Sequence, residues 1–172
     1  MSPSVRISEI GLYLRCPRLV YFQNLGSIAA PEDAARMLLR ALMFSLSSSP
    51  SSQFSASDLQ GLLEENLALL KQEMPVIYEI DSALVESACR DLEPEIESIS
   101  QGLAGCLELL LPCEVEVDLR SEKLGLSGRL DRLARGGVPC IIRTGRAPEA
   151  GVWKKDRIML SGYALLLGEK EK

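Results

Sequence analysis

The chain has 172 residues, of which 47% are hydrophobic, and it carries a formal net charge of −5. That length and apolar content suit one domain with a sizeable core. No apolar run approaches the ~20 residues of a membrane-spanning helix, and the start of the chain lacks the basic and apolar pattern of an export signal. We therefore expect one soluble, cytoplasmic domain over residues 1–172, with no membrane partner.

The side-chain inventory narrows the chemistry that the chain could perform. It contains no histidine, and its five cysteines are scattered along the sequence. An odd number of widely spaced cysteines does not suggest a disulfide framework, so buried free thiols are the simpler interpretation. Without histidine, any hydrolytic mechanism must rely on carboxylates, lysines or a thiol.

Charge is distributed unevenly along the chain. Residues 1–119 hold 7 basic and 18 acidic side chains, whereas residues 120–157 hold 10 basic and 4 acidic ones, a local net charge of +6. A basic surface on an acidic protein can hold a polyanion, although a solvated face is the commoner explanation of any one charge run. The basic region therefore becomes a candidate for contact with nucleic acid.

The first two thirds of the chain favour helices. Ser8 is a plausible N-cap, Cys16-Pro17 predicts a break, and a short helical turn should continue through Tyr21. A second helix should open at Pro31, and residues 47–57 form a Ser-rich loop. Ser57-Asp58-Leu59-Gln60 has capping-box spacing ahead of a further helix, and a last one from Asp81 should be divided at Pro94. The expected inward positions are Ile10, Tyr13 and Leu14; Met37, Leu38, Ala41, Leu42 and Phe44; Leu59, Leu62, Leu63, Leu67 and Leu70; and Leu84, Val85, Ala88, Leu92, Ile96 and Ile99.

The pattern changes to strands after Pro112. In CEVEVDL, apolar and acidic residues alternate with the period of a half-buried strand. LGLSGRLDRLAR, the Gly136-Gly137 turn and VPCIIRT then complete a predicted antiparallel three-strand meander. Asp156 should cap a final helix with Ile158, Leu160, Tyr163, Ala164 and Leu167 on its apolar side. The sequence thus predicts an α/β (α+β) fold with a mainly helical part, 1–111, and a strand-helix core, 112–172.

Two segments resemble one known family. Residues 122–169, EKLGLSGRLDRLARGGVPCIIRTGRAPEAGVWKKDRIMLSGYALLLGE, are similar to the nuclease core of the CRISPR-associated RecB-type exonucleases, which belong to the PD-(D/E)XK superfamily. The opening ISEIGLYLRCPRLVYF resembles the N-terminal element of that family. The resemblance implies a restriction-endonuclease-like core, DNA hydrolysis with Mg²⁺ or Mn²⁺, and a 4Fe–4S cluster.

The resemblance also implies that the active site is degenerate. Asp131 of the Gly-x-x-Asp strand matches the first metal-binding carboxylate, but Ile141 stands at the second ligand and Arg143 at the family's lysine. Met159 replaces a glutamine in the final helix, where Tyr163 is retained. Isoleucine cannot coordinate a cation, and arginine can hold phosphate without replacing lysine in catalysis. Displaced ligands could come from Glu114, Glu116 and Asp118, although a solvated strand face explains their alternation more simply.

The resemblance gives Cys16 the role of a vestigial iron–sulfur ligand. The family uses three further cysteines near its C-terminus, and this chain has none after Cys140. One thiolate cannot hold a four-thiolate cluster, unless Cys89, Cys106 and Cys113 are recruited instead. We therefore expect no bound metal or cluster, with Asp131 as a vestigial metal position.

Three functions follow as hypotheses. The chain could be an inactive nuclease-like module that binds DNA, or that binds other DNA-processing or CRISPR proteins. It could be an active metal-dependent exonuclease with migrated ligands, or an interaction scaffold without DNA binding. The sequence does not fix an oligomeric state. Candidates for phosphate contact are Arg120, Lys123, Arg129, Arg132, Arg146, Lys154 and Lys155.

One structural expectation concerns the vacated metal position. Strand alternation would place Ile141 and Arg143 on one face, toward the Asp131 carboxylate. An uncompensated buried carboxylate is costly, and the guanidinium fork can meet a carboxylate in two hydrogen bonds. We therefore predict that Arg143 pairs with Asp131 while Ile141 fills the adjacent space.

Overall fold

The computed structural model describes residues 4–26, 33–47 and 54–170, with the backbone alone for Lys170. The described residues form two compact units. Residues 4–26, 115–141 and 145–170 form the first, here called the strand unit; residues 33–47, 54–114 and 142–144 form the second, the helical unit. The first helices of the chain therefore belong with the strands, and not with the helical part that the sequence pattern suggested.

The chain begins with a short strand and two helices. Strand β1 covers Val5–Arg6, helix α1 covers Ile7–Arg15 and helix α2 covers Pro17–Asn24, so the predicted break at Cys16-Pro17 is confirmed. The predicted cap at Ser8 is wrong: Arg6 is the N-cap residue, and its backbone N–H donates to the Glu9 carboxylate at 2.7 Å. Helix α1 turns Ile7 and Gly11 inward and leaves Tyr13 and Leu14 exposed.

Helices α3 and α4 supply about half of the buried core residues of the helical unit. Helix α3 covers Ala34–Ser45 and is capped by Asp33, whereas Pro31, the predicted start, lies outside the described residues. Helix α4 covers Ala56–Ile77. Its capping box joins Ser55 to Asp58, so the cap predicted at Ser57 is wrong by two residues, and Ser57 lies inside the helix. The part of the Ser-rich loop at 48–53 lies outside the described residues.

The last helices of this unit follow the predicted division. Helix α5 covers Ser82–Leu92, a 3₁₀ turn covers Glu93–Glu95 and helix α6 covers Ile96–Ala104, because Pro94 cannot donate in a continuous helix. A short helix α7, Leu107–Leu110, was not predicted. The buried core of the unit contains Leu38, Leu42, Met43, Leu46, Leu63, Leu67, Met74, Ile80, Val85, Ala88, Cys89, Ile96 and Ile142. Leu84, predicted inward, is 54% exposed.

The sheet is built around its third strand. Strand β2 covers Cys113–Ser121, β3 covers Leu126–Ala134 and β4 covers Val138–Cys140, so three strands form as predicted. The third is shorter than the predicted VPCIIRT, because residues 141–144 are not a strand. Strand β3 pairs with β2 and, antiparallel, with β4, where Arg132 lies opposite Cys140. It also pairs in parallel with β1, which places Val5 opposite Leu126. This parallel addition was not predicted, because two residues are too few to show a strand period.

Helix α8, Lys154–Lys170, completes the strand unit. It starts before the predicted cap Asp156, since the Arg157 N–H already donates to the Trp153 carbonyl at 3.0 Å. Met159, Tyr163 and Leu166 form its buried side, so the predicted inward positions Ile158 and Ala164 are displaced by one or two residues. The rest of the buried cluster comes from α1 and the sheet, with Ile7, Leu119 and Leu130.

Helices and a four-stranded open sheet make this a mixed α/β chain, compatible with the α+β expectation. Within the described ranges, no helix combines the length and the apolar character needed to cross a bilayer.

Candidate functional site

Asp131 lies in the middle of the sheet rather than at its surface. Strand β3 carries it between Leu130 and Arg132, and its side chain is only 6% exposed. Arg132 is buried to a similar degree. Burial of a carboxylate is costly unless hydrogen bonds or charges compensate it, so this position is under strict structural constraint.

Tyr163 holds α8 against the same strand. Its hydroxyl donates to the carbonyl oxygen of Arg129 at 2.8 Å, and its ring is buried. A Cβ placed at Gly128 would lie 3.0 Å from the ring carbon Cε1 of Tyr163 and 3.3 Å from the Cβ of Ile7. The Gly-x-x-Asp strand and the retained tyrosine thus meet directly, because only glycine lets the ring approach the strand backbone this closely.

Two positions that the resemblance matches to the family's second acid and its glutamine lie in apolar surroundings. Ile141 and Met159 both belong to the hydrophobic cluster of the strand unit, Met159 as a buried member and Ile141 packed against it. The Met159 sulfur also lies where a side chain at Gly11 would have to sit, 2.7 Å from an added Cβ. These two side chains supply packing and no oxygen ligand.

The residues present do not fit a catalytic Mg²⁺ or Mn²⁺ ion. Such ions require several oxygen ligands, and the aligned positions offer the single carboxylate of Asp131. Over the described ranges of the chain, no three cysteine or acidic side chains converge as a metal-binding group would require. We therefore derive no hydrolytic step through a metal at this position.

The cysteines are likewise divided between the two units. Cys16, at the N-cap of α2, and Cys140, at the end of β4, belong to the strand unit, whereas Cys89, Cys106 and Cys113 belong to the helical unit. Cys89 is buried, and desolvation raises the pKa of its thiol. Neutral buried thiols are poor ligands and nucleophiles.

The predicted pairing of Arg143 with Asp131 stays a prediction. Asp131 belongs to the strand unit, and Arg143 belongs to the helical unit with its neighbour Ile142, which is buried in the helical core. The argument from strand alternation does not apply, because β4 ends at Cys140 and residues 141–144 are not a strand.

Arg129, one of the predicted phosphate contacts, is engaged with acidic side chains of β2. Its Nε and Nη2 donate to the two carboxylate oxygens of Asp118 at 3.0 and 3.2 Å, and Nη1 lies 3.6 Å from Glu116. This pairing lowers the pKa of Asp118 and raises the pKa of Arg129. A phosphate would therefore have to compete with a carboxylate that already fills the guanidinium fork.

Three more of the predicted contacts are poorly placed for phosphate. The Lys123 ammonium lies 2.9 Å from Glu169, and the Arg120 guanidinium lies 3.7 Å from Glu122. Arg132 is buried. The predicted cations on and between the strands are thus paired with acidic side chains or buried. The exposed cations that a polyanion could contact therefore lie after β4.

The remaining candidates meet at the start of α8. Arg146 lies on the loop before the helix, and Lys154 and Lys155 open the helix; all three are exposed. Trp153 stands between them in sequence and is 55% exposed, with its Nε1 donating to the Arg146 carbonyl at 3.3 Å. Arg157, one turn further on, is also exposed. We call Arg146, Trp153, Lys154, Lys155 and Arg157 the α8-start surface.

Sequence reasoning identified three cations of this surface, Arg146, Lys154 and Lys155, but missed Arg157 and the aromatic residue. Trp153 is the single tryptophan of the chain, and it directly precedes two lysines. That Trp-Lys-Lys order is the signal that could have identified it, since aromatic and cationic side chains together contact bases and phosphates.

Comparisons with known proteins identify no family. The chain matches none of the family models, and the comparisons found no match among curated proteins or solved structures.

Proposed function

We propose that this chain is an accessory nucleic-acid-binding protein, related to the RecB-type exonucleases with their PD-(D/E)XK core but without metal-dependent cleavage. It would act beside other DNA-processing proteins. The motif resemblance of residues 122–169 supports the relationship. The observation that carries the binding proposal is the α8-start surface.

The geometry of that surface suits a nucleic acid. A hydrogen bond at 3.3 Å fixes the indole edge of Trp153 to the loop backbone while more than half of the side chain stays exposed. A base can stack on an exposed indole, and neighbouring Lys and Arg side chains can neutralise phosphates. Neither contact reads sequence, so the surface would hold nucleic acid with little base preference.

The absence of cleavage rests on different residues. Ile141 and Met159 lie in the apolar cluster of the strand unit, where a nuclease of this type needs an acid and a glutamine. Asp131 alone would bind a divalent cation weakly. Binding and cleavage are therefore separable parts of the proposal, and each needs its own measurement.

Binding can be followed through the intrinsic fluorescence of Trp153, because the chain has no other tryptophan. Titration with an unlabelled oligonucleotide at low salt should quench this emission, and anisotropy of a labelled oligonucleotide should give the affinity. The surface has four cations, and four phosphate contacts on a single strand predict a slope of log K against log salt of about −3.

Paired variants make the test specific. Arg146→Glu and Lys154→Glu should each weaken binding by roughly tenfold or more, since each reverses one phosphate contact. Arg90→Glu is the matched control, because Arg90 is an exposed arginine of the helical unit, and it should leave the affinity unchanged. Equal losses in all three variants, or no binding at low salt, would refute the proposal and favour a scaffold without DNA contact.

A further inference from the structure

Within the part of the chain that the structure describes, helix α2 has an exposed apolar face. Tyr21, Phe22 and Leu25 are all exposed, and the two rings contact each other edge to face with centroids 5.5 Å apart. With Arg18, they recur at intervals of three and four residues, so they share one side of the helix. Large exposed apolar side chains on one face indicate an interaction surface.

This α2 face has a basic border. Residues 10–26 contain Arg15 and Arg18 and no acidic residue, although the first 119 residues of the chain are strongly acidic. Both arginines are exposed. A partner that fits the α2 face should therefore combine apolar side chains with acidic ones.

The helical unit carries such a surface on the outer side of α4. Leu69, Val76 and Ile77 are exposed, Val76 to 79%, and Glu65 and Glu73 are exposed at the same helical spacing. Positions 65, 69, 73 and 76 lie on the side of α4 away from its buried Leu67 and Met74, and Ile77 is the last residue of the helix beside them. The α4 face is thus apolar with acidic residues along it.

We propose that the α2 face of one copy of this chain binds the α4 face of a second copy. The apolar residues of the two faces would bury one another, with Phe22 and Tyr21 as a rigid aromatic anchor. Arg15 and Arg18 would lie against Glu65 and Glu73, which fixes the orientation and disfavours pairing of like faces.

The contact uses two different surfaces, so it is heterologous. Each chain offers one α2 face and one α4 face, and successive copies add head to tail until a ring closes or a chain of copies forms. This inference is independent of nucleic-acid binding, because the α8-start surface contributes no residue to either face.

Sedimentation velocity on the full chain tests the proposal. The wild-type protein should sediment as a concentration-dependent series of oligomers across about 1–300 μM, and it should shift toward monomer with added salt. Phe22→Glu and Val76→Arg should each give monomers. Arg36→Glu on α3 and Glu64→Arg on a neighbouring side of α4 are exposed controls that should leave the series unchanged.

Mixing the two defective variants gives the sharpest result. Phe22→Glu keeps an intact α4 face and Val76→Arg keeps an intact α2 face, so an equimolar mixture should form a one-to-one dimer and nothing larger. Circular dichroism of each variant, matching that of the wild-type protein, shows that both are folded. A wild-type chain that is monomeric at every concentration, or a mixture of folded variants that stays monomeric, overturns the proposal.

Discussion

Tyr163 connects helix α8 to strand β3 through one partly buried hydrogen bond, which gives this tyrosine a structural role. Its hydroxyl donates to the Arg129 carbonyl, and the ring rests on Gly128. The resemblance had assigned Tyr163 to an active site. Its position shows that packing alone gives sufficient reason for this residue.

Tyr163→Phe should destabilise the chain by about 1–2 kcal/mol, because the Arg129 carbonyl loses its side-chain donor in a buried place. Urea unfolding followed by circular dichroism measures the difference. Tyr13→Phe is the control, since Tyr13 is exposed on α1 and should change the free energy of unfolding by little. Equal stability of the two variants would show that the hydrogen bond contributes nothing.

Gly128 and Gly61 should respond in opposite directions to the same substitution. Gly128→Ala should cost about 1–3 kcal/mol, because the new methyl group meets the Tyr163 ring at 3.0 Å and Ile7 at 3.3 Å. Gly61 lies inside α4 with nothing within 4 Å of an added Cβ, so Gly61→Ala should stabilise the helix by up to about 1 kcal/mol. Thermal unfolding of both variants checks this pair; a stabilising Gly128→Ala would contradict the described packing.

At the scale of elements, the helix boundaries show what sequence patterns can and cannot determine. Cys16-Pro17 and Pro94 were located correctly because proline acts locally, through its missing N–H and its ring. The cap of α4 was misplaced from Ser55 to Ser57, since several serines precede the helix and each could accept the bond. The helix breaks could be located from the prolines alone. Which of several serines caps α4 depends on the fold around the helix.

Ser55→Ala should therefore weaken α4 by about 1 kcal/mol, while Ser57→Ala should have little effect. The Ser55 hydroxyl accepts from the Asp58 N–H at 3.2 Å, and Ser57 lies inside the helix without a capping role. The two free energies of unfolding can be compared directly in urea. A larger loss for Ser57→Ala would restore the original prediction.

The hydrogen bonds between Arg129 on β3 and Asp118 on β2 should make the stability of the folded chain depend on pH. Hydrogen bonds from Arg129 lower the pKa of Asp118 below its usual value. Because the pKa of Asp118 is lower in the folded state than in the unfolded state, the ion pair stabilises the fold at pH values above the unfolded-state pKa. This stabilisation is lost as the pH falls through the folded-state pKa. In Arg129→Ala, an NMR titration should show the Asp118 pKa moving back up. An unchanged pKa would mean that the guanidinium does not hold this carboxylate in solution.

For the whole molecule, the succession of helices, strands and a last helix was predictable, and the assembly of the strands with the first helices was not. Period and turn residues identify each element separately. The pairing of Val5 with Leu126 and the packing of Ile7 under α8 join residues far apart in sequence, which no local pattern records. The candidate site shows the same limit: Lys154 was found from its charge, and Trp153 only from its exposed position.

Divalent metals should neither stabilise this protein nor activate it. A ligand that binds the folded state raises the unfolding temperature. Asp131 should bind a divalent cation weakly, because Ile141 and Met159 supply no oxygen ligand. We expect an unchanged melting temperature with Mg²⁺ or Mn²⁺ and no cleavage of single-stranded or duplex DNA. Cleavage that disappears in Asp131→Ala would show that the ligands have migrated. Asp91 is an exposed carboxylate of the helical unit, so Asp91→Ala provides the control variant.

The order in which the strand unit is assembled has a consequence for synthesis on the ribosome. Ile7 is translated before α3 to α7, but its packing partners on β3 and α8 are translated only after all of these helices. At ~5–20 residues per second, on the order of ten seconds separate the translation of α1 and α2 from the translation of their packing partners. During that interval, Ile7 and the apolar side chains of α2 are available to chaperones, while the local contacts of α3 to α6 can already form.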